Sequence, residues 1–234
     1  MNLSILIVTQ GEPHSTRFIL DAHRLANKLG DTELVLGLDK CQPEYWQLAH
    51  KTIQLKSAGY LESVLDDALA VCTGRWILRL DDDEKCSKEM ERWLAGGKYQ
   101  HFGDMYAFPR ANMWNLDHFI TTPPLWPDIQ TRLSVREKAG GRNKIHQGSP
   151  HGPGIVAPVA IEHYKFLVRD YESRLKIATN YESVKAGCGF GETYQPHNLP
   201  EKSFKSMNFE KLKDGYFPHW QDISGKGKEV RFDS

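Results

Sequence analysis

Short apolar runs alternate with amphipathic helical patterns over roughly the first third of the chain. The runs at 3–8, 33–38 and 76–80 are dominated by Leu, Ile, Val and Trp, which is typical of strands buried inside a parallel sheet. Between these runs, apolar residues recur at helical spacing over 18–29 and 61–72. Strands that alternate with helices in this way predict a parallel sheet with helices on its faces.

Four consecutive acidic residues, here called the acidic tetrad (Asp81–Glu84), follow the run at 76–80. Right-handed crossovers place the C-terminal ends of parallel strands at one edge of a sheet, so the tetrad is predicted to meet Thr9 and Asp39, which follow the earlier runs. Like charges this close repel one another unless a cation lies among them, and carboxylate oxygens suit Mg²⁺ or Mn²⁺. The pattern predicts a nucleotide-type site with a divalent ion. A solvated acidic turn is the alternative.

The charge of the chain is balanced, with 30 basic and 30 acidic residues among 234, so no basic field argues for a nucleic-acid partner. The N-terminal segment lacks the basic start and long apolar core of a signal peptide, and no run has the length that spans a membrane. The four cysteines show no zinc-ligand spacing, and free thiols suit a reducing cytosol. We therefore expect a cytoplasmic protein, with Cys72 in its core.

The second half of the chain is less regular. Strand patterns recur at 104–110 and 158–164, a helical pattern covers 167–181, and a loop rich in Pro and Trp occupies 122–128. Trp114, before this loop, and Trp126, within it, are candidates for stacking against sugars. Core packing is the alternative for both.

Several ordered motifs resemble family 2 glycosyltransferases with the GT-A fold. Residues 73–84 resemble that family's T-G-x-W-I-L-x-L-D-A-D-E segment, and residues 7–12 resemble its opening V-T-x-N-E. Residues 108–112 and 126–133 resemble the F-x-R-x-N and W-P-D-x-Q-x-R-L blocks, and 162–164 matches a late H-Y. The pattern is most similar to small bacterial enzymes that add single sugars during lipopolysaccharide core synthesis, and it covers about residues 3 to 180.

The resemblance implies a GT-A-like α/β fold with a Rossmann-type, mostly parallel sheet. It implies a domain at 1–185, made of a nucleotide-binding half at 1–100 and an acceptor-side half at 101–185. We predict a helical or irregular C-terminal extension at 186–234, which forms a cap on its own domain or meets a partner chain or a membrane surface.

The resemblance also implies a nucleotide-sugar donor, with UDP-sugars first, and Mn²⁺ or Mg²⁺. In this scheme, Asp39 contacts the base, Asp81 contacts the ribose or the metal, and Asp83 holds the metal between the two phosphates. His163 completes the metal or phosphate shell, or is a structural histidine. The full set predicted to bind donor is Thr9, Glu12, Asp39, Asp66, Asp81, Asp82 and Arg132.

Some of these residues have alternative readings. Arg132 and Arg110 are candidates for phosphate or acceptor contacts, since guanidinium groups match such oxygens, and surface ion pairs are the alternative. Asp66 stands where the relatives usually have Asn, and its charge beside a diphosphate is unfavourable unless a metal bridges them.

An inverting transfer needs a base that takes the proton of the acceptor hydroxyl. Asp128, in the W-P-D block and expected in a loop, is the first candidate, and Glu162 is the second. The relatives carry a V-H-E segment where this chain has Gln147, which cannot act as a base. The nearby stretch 148–154 is a lid candidate or an ordinary loop.

The sequence therefore favours a metal-dependent, inverting glycosyltransferase that moves one hexose or heptose to a glycan or lipid-linked acceptor. A sugar-phosphate nucleotidyltransferase is one rival, but residues 10–13 lack the Gly-rich basic loop expected of that class. A non-catalytic glycan- or partner-binding protein is the other rival, and Gln147 makes it credible.

Overall fold

The computed structural model describes residues 1–40, 47–140, 154–191 and 195–212. Cys41, His146, Gln147, most of the candidate lid at 148–154 and the end of the tail lie outside the described residues. The strands, numbered in chain order, are β1 (Leu3–Thr9), β2 (Thr32–Asp39), β3 (Lys51–Leu55), β4 (Trp76–Leu80), β5 (Glu84–Cys86), β6 (Met105–Asn112), β7 (His118–Ile120), β8 (Asp128–Val135), β9 (Ile155–Val156), β10 (Ile161–His163) and β11 (Phe209–Lys211). The helices are α1 (Ser15–Leu29), α2 (Leu65–Ala70), α3 (Lys88–Ala95), α4 (Tyr99–Phe102), α5 (Lys165–Val168) and α6 (Tyr171–Val184).

The large sheet has the strand order β3-β2-β1-β4-β8-β6-β10-β5, and β9 pairs with β6. Strands β3, β2, β1 and β4 are parallel, as the alternating pattern predicts. Strand β8 is antiparallel to both of its neighbours, while β6 and β10 again run parallel to each other. The C-terminal ends of β1, β2, β4, β6 and β10 therefore share one edge of the sheet with the N-terminal ends of β5 and β8.

Apolar burial on both faces of the sheet fixes this arrangement. Every residue of β1 is buried, and α1 covers one face with a stripe that includes Phe18, Ile19 and Leu25. Helix α2 covers the other face, and Cys72 lies buried beside it, which confirms its predicted place in the core. Burying one such large side chain contributes about 1.5–3 kcal/mol.

Three predicted elements differ from the observed ones in extent. The helical pattern at 61–72 forms a 3₁₀ turn followed by α2. The pattern at 167–181 divides because the Asp170 carboxylate accepts a hydrogen bond from Ser173 N (2.8 Å) and starts α6 there. The strand predicted at 158–164 shortens to β10, since Pro158 has no N–H to donate to a neighbouring strand.

Part of the predicted C-terminal extension packs against the acceptor-side half. Strand β11 pairs with β7 in a small second sheet, and the Phe204 ring lies 4.9 Å from that of Trp114 and 5.0 Å from that of Phe166. Among the residues that the structure describes, no helix combines the length and apolar character needed to cross a membrane.

Candidate active site

The predicted convergence of strand ends at one sheet edge, here called the site edge, is confirmed by direct contacts. Thr9 Oγ1, at the end of β1, donates a hydrogen bond to Asp82 (2.7 Å). Gln10 Nε2, next along the chain, donates to Asp39 at the end of β2 (2.9 Å). The acidic tetrad follows β4 at the same edge, and His163 and Asp128 join it from β10 and β8.

Arginines hold the first and last members of the tetrad. Asp81 contacts Arg79 Nη2 at 3.0 Å and also pairs with Arg132. Glu84, fully buried, accepts from Arg132 Nη2 at 2.8 Å and Arg110 Nη1 at 3.1 Å. Burial and the neighbouring Asp81 charge raise the pKa of Glu84 to about 8. For this pair, the cations that relieve the repulsion of like charges are side chains of the chain itself.

The two middle members of the tetrad are arranged differently. Asp82 accepts from Thr9 and lies 3.4 Å from Arg169 Nη2, and burial together with the Asp83 charge raises its pKa to about 7. Asp83 lies 3.4 Å from His163 Nε2 and 3.6 Å from Arg169 Nη1. Burial opposes ionisation of Asp83, whereas the Arg169 and Arg110 charges favour it and lower the pKa of that carboxyl.

The hydrogen bonds of His163 define its tautomer. Asn112 Nδ2 donates to the Leu125 carbonyl (2.8 Å), so Asn112 Oδ1 faces His163 Nδ1 at 2.7 Å. Nδ1 must therefore carry the proton, and Nε2 presents a lone pair towards Asp83. Burial and the Arg110 charge lower the pKa of His163, so the ring is neutral near pH 7. Two acceptors thus face each other across 3.4 Å.

A second group of possible metal ligands lies beside this pair. Glu12, His14 and Asp82 each place one ligand atom within 4.8 Å of the others. Arg169 already lies among them, with Nη2 at 2.7 Å from Glu12 and 3.3 Å from His14 Nε2. Burial, followed by the Arg169 charge, lowers the pKa of His14.

Asp128 is the first residue of β8, so its expected place in a loop is wrong. Arg110 grips one of its carboxylate oxygens, with Nη2 at 2.6 Å and Nε at 2.7 Å, and Gln130 donates to the other at 2.7 Å. Burial opposes ionisation, but the Arg110 and His197 charges lower the pKa of Asp128 to about 2. His197 lies in the segment predicted as an extension, and a single histidine in that aromatic tail gave no usable signal.

The structure does not bring Glu162 to the tetrad. Neighbouring residues of a strand point to opposite faces, so Glu162 lies on the face away from His163. There it contacts Lys85 Nζ at 3.0 Å and accepts from the Tyr164 hydroxyl at 2.7 Å. These three side chains line a cavity of about 480 Å³ against α1.

The remaining predicted donor residues differ in their surroundings. Asp39 is buried and accepts from Ser57 N (2.8 Å) and Ser57 Oγ (2.6 Å) as well as from Gln10. Arg132 is buried and paired within the tetrad, so the expectation of a surface ion pair is wrong. Asp66 is exposed in the first turn of α2, and its donor-binding role stays a prediction.

Two cations after β10 were missed by the sequence argument. Lys165 and Arg169 follow the H-Y motif, and both act electrostatically on Asp83. Burial lowers the pKa of Lys165 to about 8, an effect that Asp83 opposes and Arg110 strengthens. The sequence did offer one indication of their role, because both residues follow closely after His163.

The two tryptophans are packing residues in this structure. Trp126 is 6% exposed and meets Phe119 edge-on at 4.9 Å. Trp114 is half-buried, and its ring lies 4.9 Å from that of Phe204. The core-packing alternative is therefore confirmed for Trp126.

Comparisons with known proteins show which solved structures have a similar fold. No protein-family model and no curated protein matches the sequence. The chain is similar to the crystal structure of S. aureus TarS, a glycosyltransferase, with a TM-score of 0.50 and 14% identity over 88% of this chain and 45% of TarS. A structure of TarS 1-349 in complex with UDP-GlcNAc gives a TM-score of 0.40 and 14% identity over 87% of this chain and 75% of that one. The chain spans less than half the length of TarS, and the likeness concerns the fold. The predicted GT-A-like α/β fold is confirmed.

Proposed function

We propose that this chain is a metal-dependent, inverting glycosyltransferase of the family 2 type, similar to lipopolysaccharide-core enzymes. It moves one hexose or heptose from a UDP-sugar to a glycan or lipid-linked acceptor. The observation that carries the proposal is the lone pair of His163 Nε2 facing the Asp83 carboxylate at 3.4 Å. Two acceptors in contact repel one another, and a shared cation removes the repulsion.

The distance between these two atoms fits a metal ion. Mg²⁺ has ligands at about 2.1 Å in octahedral geometry, which separates adjacent ligand atoms by about 3 Å. The Nδ1–H of His163 is fixed by Asn112, as expected of a ligating imidazole. Asp81 has less freedom to act as a ligand because Arg79 and Arg132 hold it. When bound, Mn²⁺ or Mg²⁺ would neutralise charge on the departing diphosphate.

The other donor contacts follow from position at the site edge. Asp39 lies at the far end of β2, oriented by Ser57, and is assigned to the nucleotide base. Thr9, Glu12 and Asp82 are assigned to the donor because Thr9 and Asp82 meet at this edge and Glu12 lies close to Asp82, and Asp81 is assigned to the ribose. Arg132 orients Asp81. Asp66, which is exposed in the first turn of α2, is assigned to an outer contact with the donor.

Asp128 is assigned as the base. It is ionised at neutral pH because its pKa is about 2, so it accepts the acceptor hydroxyl proton as the bond to carbon forms. The hydroxyl oxygen attacks the anomeric carbon opposite the diphosphate, and the bond from that carbon to the β-phosphate oxygen breaks. Its electron pair leaves on the diphosphate, which inverts the anomeric centre. Glu162 is the second candidate, but Lys85 already neutralises it.

The test is calorimetric titration of UDP, GDP and ADP with and without Mn²⁺. We expect Mn²⁺ to strengthen UDP binding, and Asp83→Ala to remove that gain. Asp67→Ala is the matched control because Asp67 is an exposed carboxylate on α2. UDP binding that Mn²⁺ does not strengthen in the wild type, or an unchanged Asp83→Ala protein, would remove the proposal. Cys72 and Cys86 are buried thiols outside any disulfide, which supports a cytoplasmic location.

A non-catalytic binding protein with this fold is the second candidate. The observation that favours it is the double grip of Arg110 on Asp128, since a carboxylate paired so closely is a weak base. Hydrolysis of a panel of UDP-sugars over hours separates the two. Slow release of UDP from one sugar favours the enzyme, and intact donor despite nucleotide binding favours the binding protein.

A further inference from the structure

Two nitrogen atoms of cationic side chains after β10 have no hydrogen-bond acceptor among the residues that the structure describes. They are Lys165 Nζ and Arg169 Nε. The Lys165 side chain acts on its neighbours through charge, and its ammonium group makes no hydrogen bond or ion pair with the described residues. Arg169 uses its Nη atoms on Glu12 and Asp82, while its buried Nε has no acceptor there. A buried N–H without an acceptor is unfavourable, so we expect a bound ligand to supply the acceptor.

The neighbours of Lys165 indicate the charge of that acceptor. Arg110, Arg169 and Arg174 all act on Lys165 as like charges, and the negative charge of Asp83 opposes them. Asp83 is itself shared with His163 and Arg169. Cations gathered in a half-buried site repel one another, so a bound anion stabilises them. The site therefore suits an anion with several oxygens.

The position of Lys165 and Arg169 in the fold indicates which anion binds there. Lys165 is two residues beyond His163, and the intervening Tyr164 N–H donates to the Asp83 carbonyl at 2.9 Å, which ties this turn to the tetrad. Arg169 Nη1 therefore lies 3.6 Å from Asp83, and Lys165 follows the residue that is tied to Asp83 and acts on that carboxylate through its charge. A diphosphate presents enough oxygens to contact a metal ion on one side and ammonium and guanidinium groups on the other.

We propose that Lys165 and Arg169 bind the diphosphate of the donor directly, so that the chain itself supplies part of the positive charge for the leaving group. The proposal rests on the proposed function, because it assigns residues within the same donor site. Lys165 is the direct phosphate contact. Arg169 contributes its Nε while keeping its pairs with Glu12 and Asp82. Diphosphate binding then weakens, but persists, when the metal is removed.

The experiment is calorimetric titration of UDP and of inorganic pyrophosphate in EDTA at neutral pH. We expect both to bind the wild type, and Lys165→Gln to weaken both about tenfold or more, the loss expected for one hydrogen bond to a charged group. Lys165→Arg keeps the charge and should retain most of the affinity. Lys176→Gln removes an exposed lysine from α6 and should change nothing.

Each other outcome overturns a defined claim. UDP binding that requires Mn²⁺ and is unaltered in Lys165→Gln overturns this inference and leaves the proposed function standing. The absence of UDP binding with and without Mn²⁺ overturns the proposed function. If Lys165→Gln has a low melting temperature, the test uses Lys165→Arg and the wild type in EDTA instead. Failure of these proteins to bind pyrophosphate in EDTA rejects the inference.

Discussion

At the edge of the sheet opposite the site edge, the buried carboxylate of Glu33 is matched by donors. Ser4 Oγ (2.6 Å), Thr73 N (2.7 Å) and Thr73 Oγ1 (2.9 Å) donate to one oxygen, and Lys51 Nζ lies 2.8 Å from the other. At the site edge, by contrast, the Asp83 carboxylate faces the lone pair of His163. Glu33 has its donors within the fold, whereas Asp83 keeps an unfavourable neighbour that the proposed metal ion would relieve.

The tetrad repeats this contrast within four residues. Asp81 and Glu84 are tied by arginines from β4, β6 and β8, so they hold these strands together. Asp82 contacts the end of β1, and Asp83 contacts the last residue of β10. Replacements at the edge that contains Glu33 should therefore change stability, and replacements at the site edge should change binding and turnover.

The largest effect is expected for Asp128→Asn. Loss of a general base lowers turnover by about 10²–10⁴-fold, while nucleotide affinity stays close to that of the wild type. Release of UDP from the preferred donor and calorimetry with UDP measure the two quantities. Asp117→Asn, an exposed acid, is the control. Unchanged turnover would assign the base role to Glu162 or another residue.

Glu33→Gln should affect stability alone. The substitution keeps the oxygen that accepts from Ser4 and Thr73 but loses the charge opposite Lys51, so we expect a loss of about 1.5–3 kcal/mol in the free energy of unfolding. Urea denaturation measures it, with the exposed Glu137→Gln as the matched control. Weaker Mn²⁺-dependent UDP binding in folded Glu33→Gln protein would contradict the contrast between the edges.

Gly74→Ala should disturb the same edge through the backbone. A Cβ at this position would meet Ser4 N and lie 2.6 Å from the Leu3 carbonyl carbon. We expect a loss of about 1–3 kcal/mol from this overpacking, measured by urea denaturation. Gly140→Ala has nothing within 4 Å of the new Cβ and is the control. Equal stability of the two variants would show that the edge tolerates the shift.

The smallest expected effect is a dependence on pH. Burial opposes ionisation of Glu33, but Lys51, Ser4 and Thr73 lower its pKa from 4.5 to about 2. A depressed folded-state pKa stabilises the protein fully above 4.5, and this contribution disappears as the pH falls through about 2. The stability difference between wild type and Glu33→Gln should therefore shrink by about 1 kcal/mol or more over that range. A constant difference would show that the charge of Glu33 is not the cause.

Sequence patterns predicted most of the first half of the fold. Each apolar run became a strand because a continuous apolar segment is satisfied only when both faces are covered. Thr9, Asp39 and the tetrad met because parallel strands share their ends. The reversed strand β8 was not predicted, since an antiparallel strand between two parallel partners depends on which distant segment fills that place in the sheet. For the same reason, Asp128 was assigned to a loop.

The sequence by itself determined that acidic residues follow a buried strand and that they lie near the ends of β1 and β2. Periodicity and burial are local properties, and they carry that information. Only the tertiary structure decided that arginines from β6 and β8 hold Asp81 and Glu84, that Glu162 faces away from His163, and that Arg169 lies beside Asp83. Those pairings join residues that are distant in sequence, and charge compensation between them depends on strand order and on the face from which each side chain leaves the sheet.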